Sequence, residues 1–98
     1  MTDDQFFLYY AALEGNVLII QKLLLQGVKV NAYDYDGRTA LGIAASEGNL
    51  SAVKYLVTHG ANPLHRDIRN NDALGDAKRE NHLDVVAFLE SVIKNKKA

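Results

Sequence analysis

Apolar residues in this chain of 98 recur in short runs at helical spacing. Leu41, Ala44 and Ala45 stand at i, i+3 and i+4, which is one stripe of a short helix, and Leu50, Val53, Leu56 and Val57 make a second stripe. Gly48-Asn49 separates the stripes, and both residues tolerate the left-handed backbone of a tight turn. Thr39 stands where a side-chain oxygen caps the first helix; Asp72 does the same further on, and Asp3 or Asp4 is expected to do so near the start. Gly60 is placed to end the second helix in a left-handed conformation, and Pro63 blocks its continuation. The pattern predicts a pair of helices joined by a short turn.

The pair is repeated. Shifted by 33 residues, the chain superposes Leu8, Leu41 and Leu74, then Ala11, Ala44 and Ala77. Val17, Leu50 and Leu83 follow, then Ile20, Val53 and Val86, and last Leu23, Leu56 and Leu89. The turns repeat too: Gly15-Asn16 falls on Gly48-Asn49 and on Asn81-His82, Gly27 on Gly60, and Asp34 on Asp67. Three units are expected at about residues 3–33, 34–66 and 67–94 of a single domain spanning 1–98. Alanine at 11, 44 and 77 lets the first helices approach closely while larger aliphatic residues fill the outer layer, so the stack should curve. Helices this short are marginal alone, so packing of unit on unit must supply the stability.

The middle unit, Asp36-Gly37-Arg38-Thr39-Ala40-Leu41-Gly42-Ile43-Ala44-Ala45 followed by Gly48-Asn49-Leu50, Val53, Leu56 and Gly60-Ala61-Asn62, resembles the ankyrin repeat. The resemblance runs from about Asp4 to Ile93 and implies an all-α solenoid of three stacked helix-turn-helix repeats. It departs from the family where Ala40 and Gly42, and again Ala73 and Gly75, replace the usual Pro and His of the Thr-Pro-Leu-His element. The usual histidine bonding between turns is therefore not expected. The resemblance also implies a non-catalytic module that binds a protein on its concave side, through turn tips and the open face of the first helices. Carried over position by position, that surface is Tyr33, Tyr35, Asp36, Arg38, Ser46 and Glu47 in the middle unit and Arg66, Ile68, Arg69, Asn71 and Arg79 in the third. Tyrosine and arginine join large contact area to hydrogen-bonding tips, which makes them frequent interface anchors. Alternatively, the two tyrosines beside Asp34 only shield the turn. The third unit is similar to ankyrin segments at the C-terminal end of larger proteins, including eukaryotic glutaminases and plant-type potassium channels. That implies a second role, as a regulatory or oligomerisation segment of such an enzyme or channel, docked through the N-terminal aromatic helix.

Phe6-Phe7-Leu8-Tyr9-Tyr10 is the unusual segment, since only Leu8 occupies a repeated apolar column. Phe6, Phe7, Tyr9 and Tyr10 either close the open end of the stack or dock onto another chain; Phe88, Val92 and Ile93 raise the same choice at the other end. A monomer or a weak homodimer is expected.

Charge and composition narrow the chemistry. Eleven basic and twelve acidic side chains leave a formal net charge of −1, so no overall field draws the chain to nucleic acid or an anionic membrane. Arg66, Arg69, Lys78 and Arg79 are matched by Asp67, Asp72, Asp76 and Glu80, which reads as a salt-bridged surface rather than a phosphate site. Lys94, Lys96 and Lys97 suit the C-terminal carbonyls of the last helix. The absence of cysteine excludes disulfides and thiol catalysis. No apolar run approaches the roughly 20 residues of a bilayer span, and Met1-Thr2-Asp3-Asp4 lacks a signal peptide's basic start, so a cytoplasmic or nuclear setting is expected. His59, His65 and His82 have no metal-ligand spacing and read as turn and surface residues. With no nucleophile elbow or phosphate loop among the serines and glycines, neither enzyme activity nor a cofactor or metal is expected.

Overall fold

The structure is a computed structural model that describes residues 2–97, with side chains through residue 96. Six helices follow in order: α1 (Asp3–Glu14), α2 (Val17–Leu25), α3 (Ala40–Ser46), α4 (Leu50–Thr58), α5 (Ala73–Arg79) and α6 (Leu83–Lys97). The one extended pairing among the described residues is a bridge between Tyr33 and Thr39, so the all-α architecture stands. Successive helices pack as pairs; α3 lies against both α1 and α5, and α4 against both α2 and α6. The result is two layers, first helices in one and second helices in the other.

Local chemistry starts each first helix. The Thr39 hydroxyl accepts from Gly42 N at 3.2 Å, and the Asp72 carboxylate from Gly75 N at 2.8 Å. In the first unit the cap is Thr2 rather than Asp3 or Asp4. Its hydroxyl accepts from Gln5 N while the Gln5 side chain accepts from Thr2 N, a reciprocal pair that leaves the aspartates in the first turn to face the helix dipole. Helices α3 and α5 have only seven residues each, too few to stand without neighbours. Ala11, Ala12, Ala40, Ala44, Ala45 and Ala77 are buried in the first-helix layer, and Ile20, Leu23, Val53, Leu56 and Leu89 in the second. Each large aliphatic side chain so buried contributes about 1.5–3 kcal/mol. The third unit departs from the column pattern: Val85 rather than Val86 is fully buried, and Leu83 is exposed because nothing among the described residues follows to cover it.

The joints between units use contacts that span the repeat. The Asn49 amide donates to the carbonyls of Ala12 and Leu13 at 2.9 and 3.0 Å, and His82 Nε2 donates to the Ser46 carbonyl at 3.0 Å. Each closes the C-terminus of the preceding first helix and sits over a glycine in left-handed conformation, Gly15 at φ 71° and Gly48 at φ 74°. Asn16, in the same column of the first unit, instead caps its own helix by accepting from Ile19 N. The turn tips are joined as well: Ile68 N donates to Asp36 O at 3.0 Å, and His65 Nε2 to Gly37 O at 2.8 Å. The turn-to-turn bonding that Gly42 and Gly75 put in doubt is thus supplied by a backbone amide and by His65. His65 and His82 are half-buried joint residues rather than surface residues; His59 is exposed and bonds only to the Tyr55 carbonyl one turn back.

Candidate functional site

The turn tips are braced by their own hydrogen bonds. Asp34 Oδ1 accepts from the backbone N of Asp36 and of Arg38, while Oδ2 accepts from the Arg38 guanidinium at 3.0 and 3.2 Å. Asp67 repeats this at the next tip, where its Oδ1 accepts from Arg69 N and Asn71 N at 2.9 and 3.0 Å. Arg66 donates to the Asn70 carbonyl at 3.0 Å and so braces the tip as much as it faces solvent.

Beside the tips the first-helix layer forms a cleft of about 360 Å³. Of the predicted surface it gathers Arg38, Ser46, Glu47, Arg69, Asn71 and Arg79, over Gly42, Ile43 and Asp76. A Cβ on Gly42 would stand 3.5 Å from Asp76 Oδ2, an ordinary contact, so an alanine would fit at the floor of the cleft. At Leu13, Arg38 and Ile43 the cleft runs into a second hollow of about 250 Å³, walled by Phe6, Tyr9 and Tyr10. Tyr33, Tyr35, Asp36, Arg66 and Ile68 line neither hollow. Tyr33 stacks on His65 with ring centroids 5.4 Å apart, whereas Tyr35 at the adjacent tip is 91% exposed.

The N-terminal aromatics divide three ways. Phe6 and Tyr10 stack on one another, centroids 6.3 Å apart, at the apolar end of the groove. Phe7 lies instead at a hollow on the N-terminal end of the stack with Ile19 and Leu23, a hollow that Tyr10 borders as well. Tyr9 is held mostly in the core, at 7% exposure, and reaches the groove only as part of the wall of the second hollow. Leu13 and Ile43 are groove residues that the sequence reading missed. Phe6, Tyr10 and Leu13 stand at i, i+4 and i+7, and Ile43 shares the column of Tyr10, so the signal was present as a stripe.

Charges in the cleft are partly spent. Arg79 pairs with Asp76 at 3.0 Å and also reaches Glu80. Burial pushes the Asp76 carboxyl above its ordinary value; the Arg79 hydrogen bond opposes that, while Asp67 and Asp72 add to it. Arg69 and Glu47 have no ion-pair partner among the described residues, so their charges remain open to a ligand. Of the basic tail, the side chain of Lys97 lies outside the described residues.

The Tyr9 hydroxyl is buried without a hydrogen-bond partner, and burial, with the Asp34 charge, pushes its pKa up to about 12. Ionisation is harder in the folded chain than in the unfolded one, so stability is full below the ordinary tyrosine range and falls as pH rises from about 10 towards 12. Tyr9→Phe is expected to flatten that loss and to cost little at neutral pH, since it removes an unsatisfied polar atom and keeps the ring. Urea melts of both chains at pH 7 and pH 11 check this; an unchanged alkaline loss in the variant would assign it to other groups.

Among the described residues no cluster of His, Asp and Glu is arranged to hold a metal ion, and no helix is long and apolar enough to cross a membrane. Compared with family models, the chain matches ankyrin repeats (3 copies) over residues 8–97. No curated protein matches it.

Proposed function

Because the chain belongs to the ankyrin-repeat family, whose repeats generally mediate protein–protein interaction, we propose that it is a non-catalytic module that takes a protein segment along the first-helix groove. One observation carries this reading: the groove is continuous across all three units, apolar at the Phe6–Tyr10–Leu13–Ile43 end and charged at the Glu47–Arg69–Arg79 end. A segment suited to it presents apolar side chains to the first end, and at the second an acidic group towards Arg69 or a basic one towards Glu47. Tips braced by Asp34 and Asp67 lose little freedom on binding, which favours affinity.

A photo-crosslinking residue placed at Ser46 in the groove, and separately at Lys54 on the second-helix layer, tests the reading in lysate from the source cells. Crosslinks are expected from Ser46 and not from Lys54. With the captured protein in hand, Ile43→Asp is expected to weaken binding at least about tenfold, or about 1.4 kcal/mol, while Ser51→Asp on the outer face leaves it unchanged. Capture from Lys54 alone, or undiminished affinity in Ile43→Asp, would remove the groove from consideration.

A further inference from the structure

Two columns of the repeat change character at the N-terminal end. Phe7 is 53% exposed where its column mates Ala40 and Ala73 are 0% and 4%, and Ile19 is 42% exposed where Ala52 and Val85 are both 0%. In the second and third units these columns are covered; in the first they face away from the stack. Phe7 and Ile19 border a hollow of about 500 Å³ together with Tyr10 and Leu23. The residues are bulky where the covered joints use alanine or valine, so this end does not reproduce the close joint made between units.

The other end differs. Asn81 occupies the column of Gly15 and Gly48, where a Cβ would stand 2.9 Å from the Asn49 side chain and 2.5 Å from the His82 ring. Asn81 carries that Cβ, so no reaching side chain of the Asn49 or His82 kind can be seated over it. On α5 and α6 the only large apolar side chain strongly exposed among the described residues is Leu83. Head-to-tail stacking of one chain on another is therefore disfavoured at its acceptor end. An identical apolar N-terminal face carries no such obstacle.

Charge fixes how two such faces meet. The hollow is bordered by Asp4 and Glu14 from α1 and by Lys22 from α2. A two-fold axis setting α1 against α1 opposes acid to acid and Lys22 to Lys22. The axis setting α1 of each copy across α2 of the other opposes Lys22 to the acids, twice, which is the self-complementarity an isologous interface needs. We infer that the N-terminal face is an interface between two copies of this chain, paired with α1 of each across α2 of the other.

Sedimentation of the full chain over roughly 5 to 200 μM, a range that brackets a micromolar association, is the test. Dimer is expected to grow with concentration. Phe7→Asp is expected to abolish it with an unchanged circular dichroism spectrum, since Phe7 is exposed in the single chain. Lys22→Glu is expected to weaken association about tenfold, and Lys22→Glu with Glu14→Lys to recover most of that loss. Ile43→Asp in the groove is expected to leave association intact, which keeps this inference separate from the groove reading. A monomer throughout, or association indifferent to Phe7→Asp, would overturn the interface; failed recovery in the charge exchange would overturn the axis.

Discussion

Gly48→Ala is expected to lower stability by about 2–5 kcal/mol, a large fraction of what a domain this small possesses. Two costs combine. Gly48 holds φ 74°, and an L-residue in the left-handed region costs about 1–2 kcal/mol. The added methyl would also stand 2.5 Å from Nδ1 of His82, so the ring must leave its place and with it the bond to the Ser46 carbonyl. A part-buried hydrogen bond lost with its acceptor left unpaired is worth a further ~1–3 kcal/mol. At about 4–8 °C per kcal/mol for a domain of this size, the melting temperature should fall by roughly 8–40 °C. Gly27→Ala isolates the backbone part: Gly27 also has positive φ, at 96°, but nothing lies within 4 Å of where its Cβ would be. The difference between the two variants in urea melts is the contribution of the joint. In a His82→Ala background the further cost of Gly48→Ala should fall to about that of Gly27→Ala, because the side chain that clashes and the bond it makes are already gone. Equal costs at Gly48 and Gly27 would show that the His82 joint bears no load.

The same glycine marks what could be read before the structure. Columns of Leu, Ala and Val at a period of 33, with Gly, Asn and Asp between them, are enough to place six helices in three pairs. Burial bears out the columns of Leu8, Ala11, Ile20 and Leu23 in the first two units; Val17, Leu50, Leu74 and Val86 are half-buried and Leu83 is exposed. The Gly48-Asn49 turn was legible as a turn, but its reason was not. That reason is Asn49 and His82 reaching back to carbonyls 36 or 37 residues earlier, a contact between units that no local pattern encodes.

The candidate groove was legible in part for a related reason. Arg38, Ser46, Glu47, Arg69, Asn71 and Arg79 share the cleft because equivalent positions of successive units share a face. Tyr33 and Tyr35 share a tip, yet stacking on His65 holds one ring while the other projects freely. Phe6, Phe7, Tyr9 and Tyr10 looked like one aromatic patch, but neighbours on a helix point about 100° apart. Four such rings necessarily serve different surfaces: the groove, the end face and the core.

Leu41→Ala is expected to cost about 3–5 kcal/mol, at the upper end for a leucine truncated in a core, because Leu41 is 1% exposed and its helix lies at the centre of the stack. In a repeat solenoid each unit is stabilised by its neighbours as much as by itself. Helix α3 packs on α1, on α5 and on α4, so a cavity beneath it loosens both joints. Leu74, in the same column but only half-buried, lies on α5, which has a first-helix neighbour on one side. Leu74→Ala should therefore cost less, about 2 kcal/mol, and its effect should stay local. Hydrogen exchange separates the two cases. In Leu41→Ala the amides of α1 and of α6 should both lose protection, although neither helix contains the substitution, and the urea transition should broaden as the ends melt separately. In Leu74→Ala, α5 and α6 should lose protection while α1 and α2 keep theirs. If both variants gave the same cost and a uniform loss of protection, the three pairs would unfold as one indivisible unit, and coupling through the middle helix would not be what holds the groove's walls in register.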